Sequence, residues 1–277
     1  MAENDEEPKV ERVLVVHAHP DDMEFTCGGT VAKWADSGIE VDLVICTEGN
    51  RGGEGDRTED ELVRVRREEQ AAAARVLGVK EIVYLGYDDG YLTPSLELRK
   101  DITRQIRRFR PQVVVAPNPV RHFGSIGGNH PDHLAVGEAT FAAVYPTARN
   151  PMAVPELLRD EGLDKWVVSW IYVGGRPYED MDHFEDVTAT IDRKVDALLC
   201  HKSQLGPDVA NFVKWWTAQT ADKARERGLA DFKYAEGFMK LWVGEVRRPQ
   251  DYRRFLESEG LSEPQAEEMK PVPSVQE

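Results

Sequence analysis

Four short apolar runs, at 13–17, 41–46, 81–85 and 112–116, alternate with longer segments of helical character, and this alternation constrains the fold more than any other feature. Runs of five or six residues rich in Val, Ile and Leu suit strands covered on both faces, as in parallel sheets. Between them, 28–37 reads as a helix stopped by Gly38, 59–77 as a helix closed by Gly78, and 95–109 as a third helix. Pro117 ends the fourth strand. The pattern predicts an α/β fold with a mostly parallel sheet and helices on both faces. Further along, 166–173 and 236–243 read as strands, and 191–204 and 213–227 as helices. No linker divides these elements, so 11–261 is expected to form a single domain. A flexible stretch at 1–10 precedes it, and a polar tail at 262–277 with three prolines is expected to be disordered.

In Rossmann-like sheets of this kind, sites lie beyond the C-terminal ends of the strands. The first strand runs into His17-Ala18-His19-Pro20-Asp21-Asp22, and the fourth into a long loop that ends in His130-Pro131-Asp132-His133. Charge at the edge of a core is costly unless it is paired, solvated or bound to metal. Either motif alone would serve as a turn or a helix start. Together, at the ends of separate strands, they point to a metal centre. His130 and His133 are three apart on a predicted helix, and His19 and Asp22 are three apart across a proline. His19, Asp22 and His133 would supply the three protein ligands of a catalytic zinc site, one ion per chain, or hold another divalent ion such as Fe2+. Asp21 is then free to act as general base toward water, and His130 to donate a proton or stabilise an oxyanion. His17 reads as a packed neighbour of this cluster.

The net charge of −15, from 50 acidic and 35 basic residues, disfavours nucleic acid and anionic membrane as partners and fits a neutral or cationic small molecule. The polar, acidic start and the lack of a long apolar run predict a cytoplasmic protein. Three scattered cysteines suit buried thiols better than a disulfide framework.

These motifs closely resemble those of the LmbE-like/PIG-L family of zinc-dependent N-acetylglucosaminyl deacetylases. The likeness lies in Ala18-His19-Pro20-Asp21-Asp22, Gly28-Gly29-Thr30, Arg66 with Glu69, Leu77-Gly78-Val79, Asp89-Gly90, His130-Pro131-Asp132-His133 and His201-Lys202-Ser203-Gln204, over roughly 11–205. It implies an LmbE-like fold and hydrolysis of an N-acetyl group on an amino sugar or small glycoside, with acetate and free amine as products. It also implies that Asp132 orients and charges His130, that Arg66 and Asp89 bind substrate, and that the chain forms a homo-oligomer, commonly a hexamer in the family. An amidase acting on a sugar-thiol conjugate is the alternative within the family. A dinucleotide-binding protein would need a glycine-rich turn after the first strand, where this chain instead has acids.

Two departures stand out. The family usually has an acid after the paired aspartates, but position 23 is Met and the acid stands at Glu24, which predicts a lost supporting contact and altered substrate fit. The loop before His130 also lacks a tyrosine next to the motif. Glycine-rich loops at 48–60 and 118–129 are candidate lids. Trp215, Trp216 and Trp242 fit core or subunit interface better than a sugar platform.

Overall fold

The computed structural model describes residues 8–53, 56–124, 126, 129–175, 177–229 and 231–244. The tail expected at 262–277, the end of the expected domain beyond 244, the first seven residues and parts of both candidate lids lie outside the described residues.

Strands β1 (Arg12–His17), β2 (Glu40–Thr47), β3 (Glu81–Tyr87), β4 (Val113–Pro117) and β5 (Trp170–Gly174) run parallel; at one edge β6 (His183–Asp186) pairs antiparallel with β7 (Ala235–Trp242), which pairs antiparallel with β5. Their order is β3-β2-β1-β4-β5-β7-β6. The chain leaves β1 toward one side, through β2 and β3, and returns to β4 on the other side. β1 and β4 therefore flank the point where the winding reverses, the position at which open α/β sheets bind ligands.

Side-chain alternation sorts the core into two layers. Val13 and Val15 point with Leu43 and Val113 toward α1 (Asp22–Asp36), α2 (Glu59–Leu77) and α6 (Ile191–Leu198). Leu14, Val16, Val114 and Ala116 point the other way, onto α3 (Leu96–Phe109) and α4 (Pro131–Ala142). Each Val or Leu among them contributes about 1.5–3 kcal/mol on burial. Local chemistry sets the helix ends: Thr58 and Glu61 form a capping box at the start of α2, Ser95 caps α3, and Pro131 opens α4. Helices α5 (Pro155–Glu161) and α7 (Val209–Glu226), a π-helical turn at Ala143–Ala148 and a 3-10 turn at Tyr178–Asp180 complete the described set. None of the described helices is long and apolar enough to cross a membrane.

The structure departs from the sequence expectation in several elements. α1 starts at Asp22, six residues before the expected position, and is broken at Cys27 (φ −144°, ψ 19°). The glycine-rich segment that reads as a helix start is thus the second half of an interrupted helix. The strand expected from 166 begins at Trp170, the helix expected to reach 204 ends at Leu198, and β6 and α5 have no clear sequence signal.

Beyond the break, close packing demands glycine at one position. A Cβ on Gly29 would lie 2.7 Å from Val187 Cβ, whereas one on Gly28 would meet Lys194 Cγ at 3.4 Å. Gly29→Ala is expected to destabilise the fold by about 1–3 kcal/mol through overpacking. Gly28→Ala is expected to be neutral or stabilising by up to about 1 kcal/mol, because alanine is the better helix former. Urea unfolding of the two variants measures this contrast, and equal stabilities would contradict it.

Candidate active site and metal centre

His19 follows β1, Asp22 opens α1, and His133 lies in the first turn of α4, so the reversal point brings together residues 114 apart in sequence. His19 Nδ1 is 3.2 Å from His133 Nε2 and 3.5 Å from Asp22 Oδ2, and His133 Nε2 is 3.1 Å from Asp22 Oδ1. Ligands at about 2.0–2.2 Å in a tetrahedral zinc shell stand about 3.3 Å from one another. The expected donors stand at about this spacing, with Asp22 meeting the two imidazoles through different oxygens of its carboxylate. The His19 main-chain N–H donates to Asp22 Oδ2 at 2.8 Å and fixes that carboxylate.

Ring nitrogens of His19, His130 and His133 also lie within 4.8 Å of one another, as do donor atoms of His19, Asp89 and Asp132. Hydrogen bonding separates these sets. The Asp132 main-chain N–H donates to His130 Nδ1 at 3.3 Å, so the hydrogen of the neutral His130 ring resides on Nε2. Ligation through Nε2 would move that hydrogen onto Nδ1, against another donor. His130 is better placed as a neighbour, with its ring centroid 4.7 Å from that of His19 and 5.3 Å from that of His133.

Acids pack behind His19. Its Nε2 lies 3.0 Å from Asp89 Oδ1 and 3.2 Å from Asp132 Oδ2, which leaves Nδ1 to face the donor triad. Asp132 is fully buried and accepts the N–H groups of Gly90, at 2.7 Å, and Leu92, at 3.1 Å. The Asp132 carboxylate, expected to orient His130, contacts His19, and Asp89, expected on the substrate, stands against the same imidazole. Asn50 ties this acid in place by accepting the Asp89 N–H at 3.0 Å.

The charges suit a cation. Burial would lower the His19 imidazole, but Asp132, Asp22 and Asp89 outweigh it and push it up to about 12. Burial likewise opposes the rise of His133, which Asp22 produces. Burial would raise Asp22, yet His133 and His19 hold it well below the usual carboxylate range. The acids around the two imidazoles thus create a field that favours positive charge between them. Burial, with His19 and His133 nearby, lowers His130. His17 is buried behind the cluster as expected, and burial pushes it down to about 4.

Asp21 stands beside the triad in the left-handed region at φ 91°, which costs a non-glycine residue on the order of 1–3 kcal/mol. Burial, then Asp22, pushes its carboxyl up to about 7 against the opposing pull of Arg66. Arg66 is buried and donates to Pro20 O at 2.7 Å, Gly49 O at 3.0 Å and Asp21 Oδ2 at 3.2 Å. The guanidinium expected on the substrate is thus tied to the turn that carries Asp21. Met23 is in the core, and Glu24, also buried, accepts a hydrogen bond from Gln70 Nε2 at 2.6 Å. Gln70 was invisible as a site residue, although its spacing of four from Arg66 puts both on one face of α2.

The tryptophans sit away from these contacts. Trp242 packs on Trp170 with ring centroids 4.8 Å apart, Trp216 lies against Lys194, and Trp215 is exposed on α7.

Comparison with known proteins follows the same residues. The family described as PIG-L: GlcNAc-PI de-N-acetylase matches residues 14–144, which include both histidine motifs. The chain is 32% identical over 235 residues to the diacetylchitobiose deacetylase of Thermococcus kodakarensis, with 82% of each protein covered. It is 35% identical over 199 residues to a 1D-myo-inositol 2-acetamido-2-deoxy-alpha-D-glucopyranoside deacetylase of Nocardioides sp., covering 59% of this chain and 62% of that enzyme. Among solved structures, an N,N'-diacetylchitobiose deacetylase from Pyrococcus horikoshii in complex with an inhibitor superimposes with a TM-score of 0.75 at 31% identity, over 84% of this chain and 85% of that one.

Proposed function

This chain belongs to the PIG-L (LmbE-like) family, and on that premise we propose that it is a zinc-dependent N-deacetylase of a small N-acetylated amino sugar or glycoside. The observation that carries this reading is the triad of His19, Asp22 and His133, with donor atoms 3.1–3.5 Å apart and Asp21 left free beside them. These three residues would hold the ion, which when bound polarises a carbonyl and lowers the pKa of water. The similarity to diacetylchitobiose and acetamido-glucopyranoside deacetylases supports the substrate class.

The chain's own groups divide the remaining work. Asp21 accepts a proton from water as the water oxygen bonds to the acetamide carbon. His130, with its hydrogen on Nε2, donates a hydrogen bond to the oxygen that gains charge, which the ring does without carrying a charge of its own. This differs from the charged acid that resemblance alone implies. The C–N bond then breaks, and the proton held by Asp21 passes to the departing nitrogen, so that acetate and amine are the products.

The test is acetate release from a panel of N-acetylated amino sugars, with sugar-thiol S-conjugates alongside, using metal-stripped and zinc-restored protein. Hydrolysis of an N-acetyl sugar by the zinc-restored protein, at least about 10²-fold above the stripped form, is the expected result. Cleavage of S-conjugates alone would favour the amidase, and equal rates with and without metal would refute the metal-dependent reading.

A further inference from the structure

Gln70 has no role in the chemistry above, yet its side chain is fully buried on the face of α2 that carries Arg66. Its amide is held at both ends. Oε1 accepts the Asp21 main-chain N–H at 3.0 Å, and Nε2 donates to Glu24 Oε1 at 2.6 Å. Glu24 is also fully buried, with His201 Nε2 3.7 Å from its other carboxylate oxygen. Donor and acceptor chemistry dictates the amide orientation, because a main-chain N–H can only donate and so takes the amide oxygen, leaving the NH2 for the carboxylate.

Asp21 supplies the reason for this arrangement. At φ 91° its backbone is strained, and such a conformation persists only where the surroundings over-determine it. Arg66 clamps one side of the turn through Pro20 O, and Gln70 clamps the other through the Asp21 N–H. Without the Gln70 oxygen, that N–H would lose its partner, and rotation toward negative φ would swing the carboxylate away from the donor triad.

We infer that Gln70, oriented by Glu24, is a positioning residue that locks the left-handed backbone of Asp21 and so holds its carboxylate beside the metal donors. The inference rests on the reading of Asp21 as the base. It also gives the acid at position 24 a task that an acid at position 23, where Met23 enters the core, could not perform from the same backbone.

Gln70→Leu removes both hydrogen bonds, Glu24→Leu frees the amide to turn, and Glu24→Gln keeps an acceptor oxygen for it. Kinetics, metal content and a crystal structure of each variant test the inference. Q70L is expected to lose about 10²-fold in kcat, the effect of a displacement near 1 Å, with metal content and KM little changed. E24L is expected to share the fall and E24Q to recover most of it. In crystals of Q70L, Asp21 is expected to leave the left-handed region. A wild-type kcat in Q70L, a fall in kcat matched by equal metal loss, or an unchanged Asp21 φ would overturn the inference. If Q70L fails to fold, the contrast between E24L and E24Q decides. If the wild-type protein hydrolyses no N-acetylated sugar, the functional reading fails, while the Asp21 backbone angle in Q70L still decides the positioning claim.

Discussion

Asp21→Asn is expected to lower turnover by about 10²–10⁴-fold, the contribution of a positioned general base, while the protein keeps its metal. Asparagine matches aspartate in size and retains the main-chain N–H that Gln70 accepts, so the strained turn is preserved. The carboxamide cannot take a proton from water. Asp21 is not one of the three donors in mutual contact, so metal content measured by atomic absorption is expected to stay near that of the wild type. Asp22→Asn is the counterpart: it weakens a donor between two imidazoles and is expected to lose metal and activity together. D21N with full turnover, or D21N stripped of metal, would remove Asp21 from its role as base.

The second large effect is on stability. Lys194 and Glu236 form an ion pair at 2.5 Å with both side chains almost completely buried. Its place explains its presence. Where α1 breaks at Cys27, the second half of the helix exposes N–H groups that no preceding turn accepts. Glu236 accepts from Gly29 at 2.9 Å and Thr30 at 2.8 Å, while Lys194 donates to Phe25 O at 2.6 Å on the other side of the break. The pair replaces the missing helical hydrogen bonds. Lys194→Met leaves Glu236 buried without its counter-charge and Phe25 O without this donor, and is expected to cost about 3–5 kcal/mol. Glu236→Gln on the K194M background is expected to restore part of the loss, since a neutral amide oxygen still accepts a helix N–H. Urea unfolding of the single and double variants checks this. A K194M protein within about 0.5 kcal/mol of wild type would mean that the pair contributes no more than a surface substitution.

The candidate metal donors were legible because His19 and Asp22 lie two and five residues past the end of β1 and His133 in the first turn of the helix after β4, each inside a contiguous motif whose residue types have few other uses together. Spacing gave the shared helix face of His130 and His133 but could not reveal which side chain each neighbouring acid meets across the site. Asp132 therefore turned out to hold His19, through a carboxylate fixed by Gly90 and Leu92 from the β3–α3 loop. Arg66 was legible as important, though its partners proved to be carbonyls of the turn and Asp21. The break in α1 was hidden because its support comes from α6 and β7, some 170 and 210 residues away in the chain. Local helix signals begin at Gly28, and only tertiary contacts extend the helix back to Asp22. Gln70 was missed for a related reason: within a charged helix one amide side chain looks like any other until the strained backbone it serves is known.

In the proposed site, segments following β1 and β4 grip one divalent ion next to a carboxylate that stays outside its shell. The most direct measurement is a crystal structure of the zinc-restored protein with anomalous diffraction collected on both sides of the zinc absorption edge. A single anomalous peak per chain is expected, bound by His19 Nδ1, the Asp22 carboxylate and His133 Nε2, with Asp21 outside the coordination shell. A peak held by His130 in place of Asp22, or no peak between His19 and His133, would contradict it.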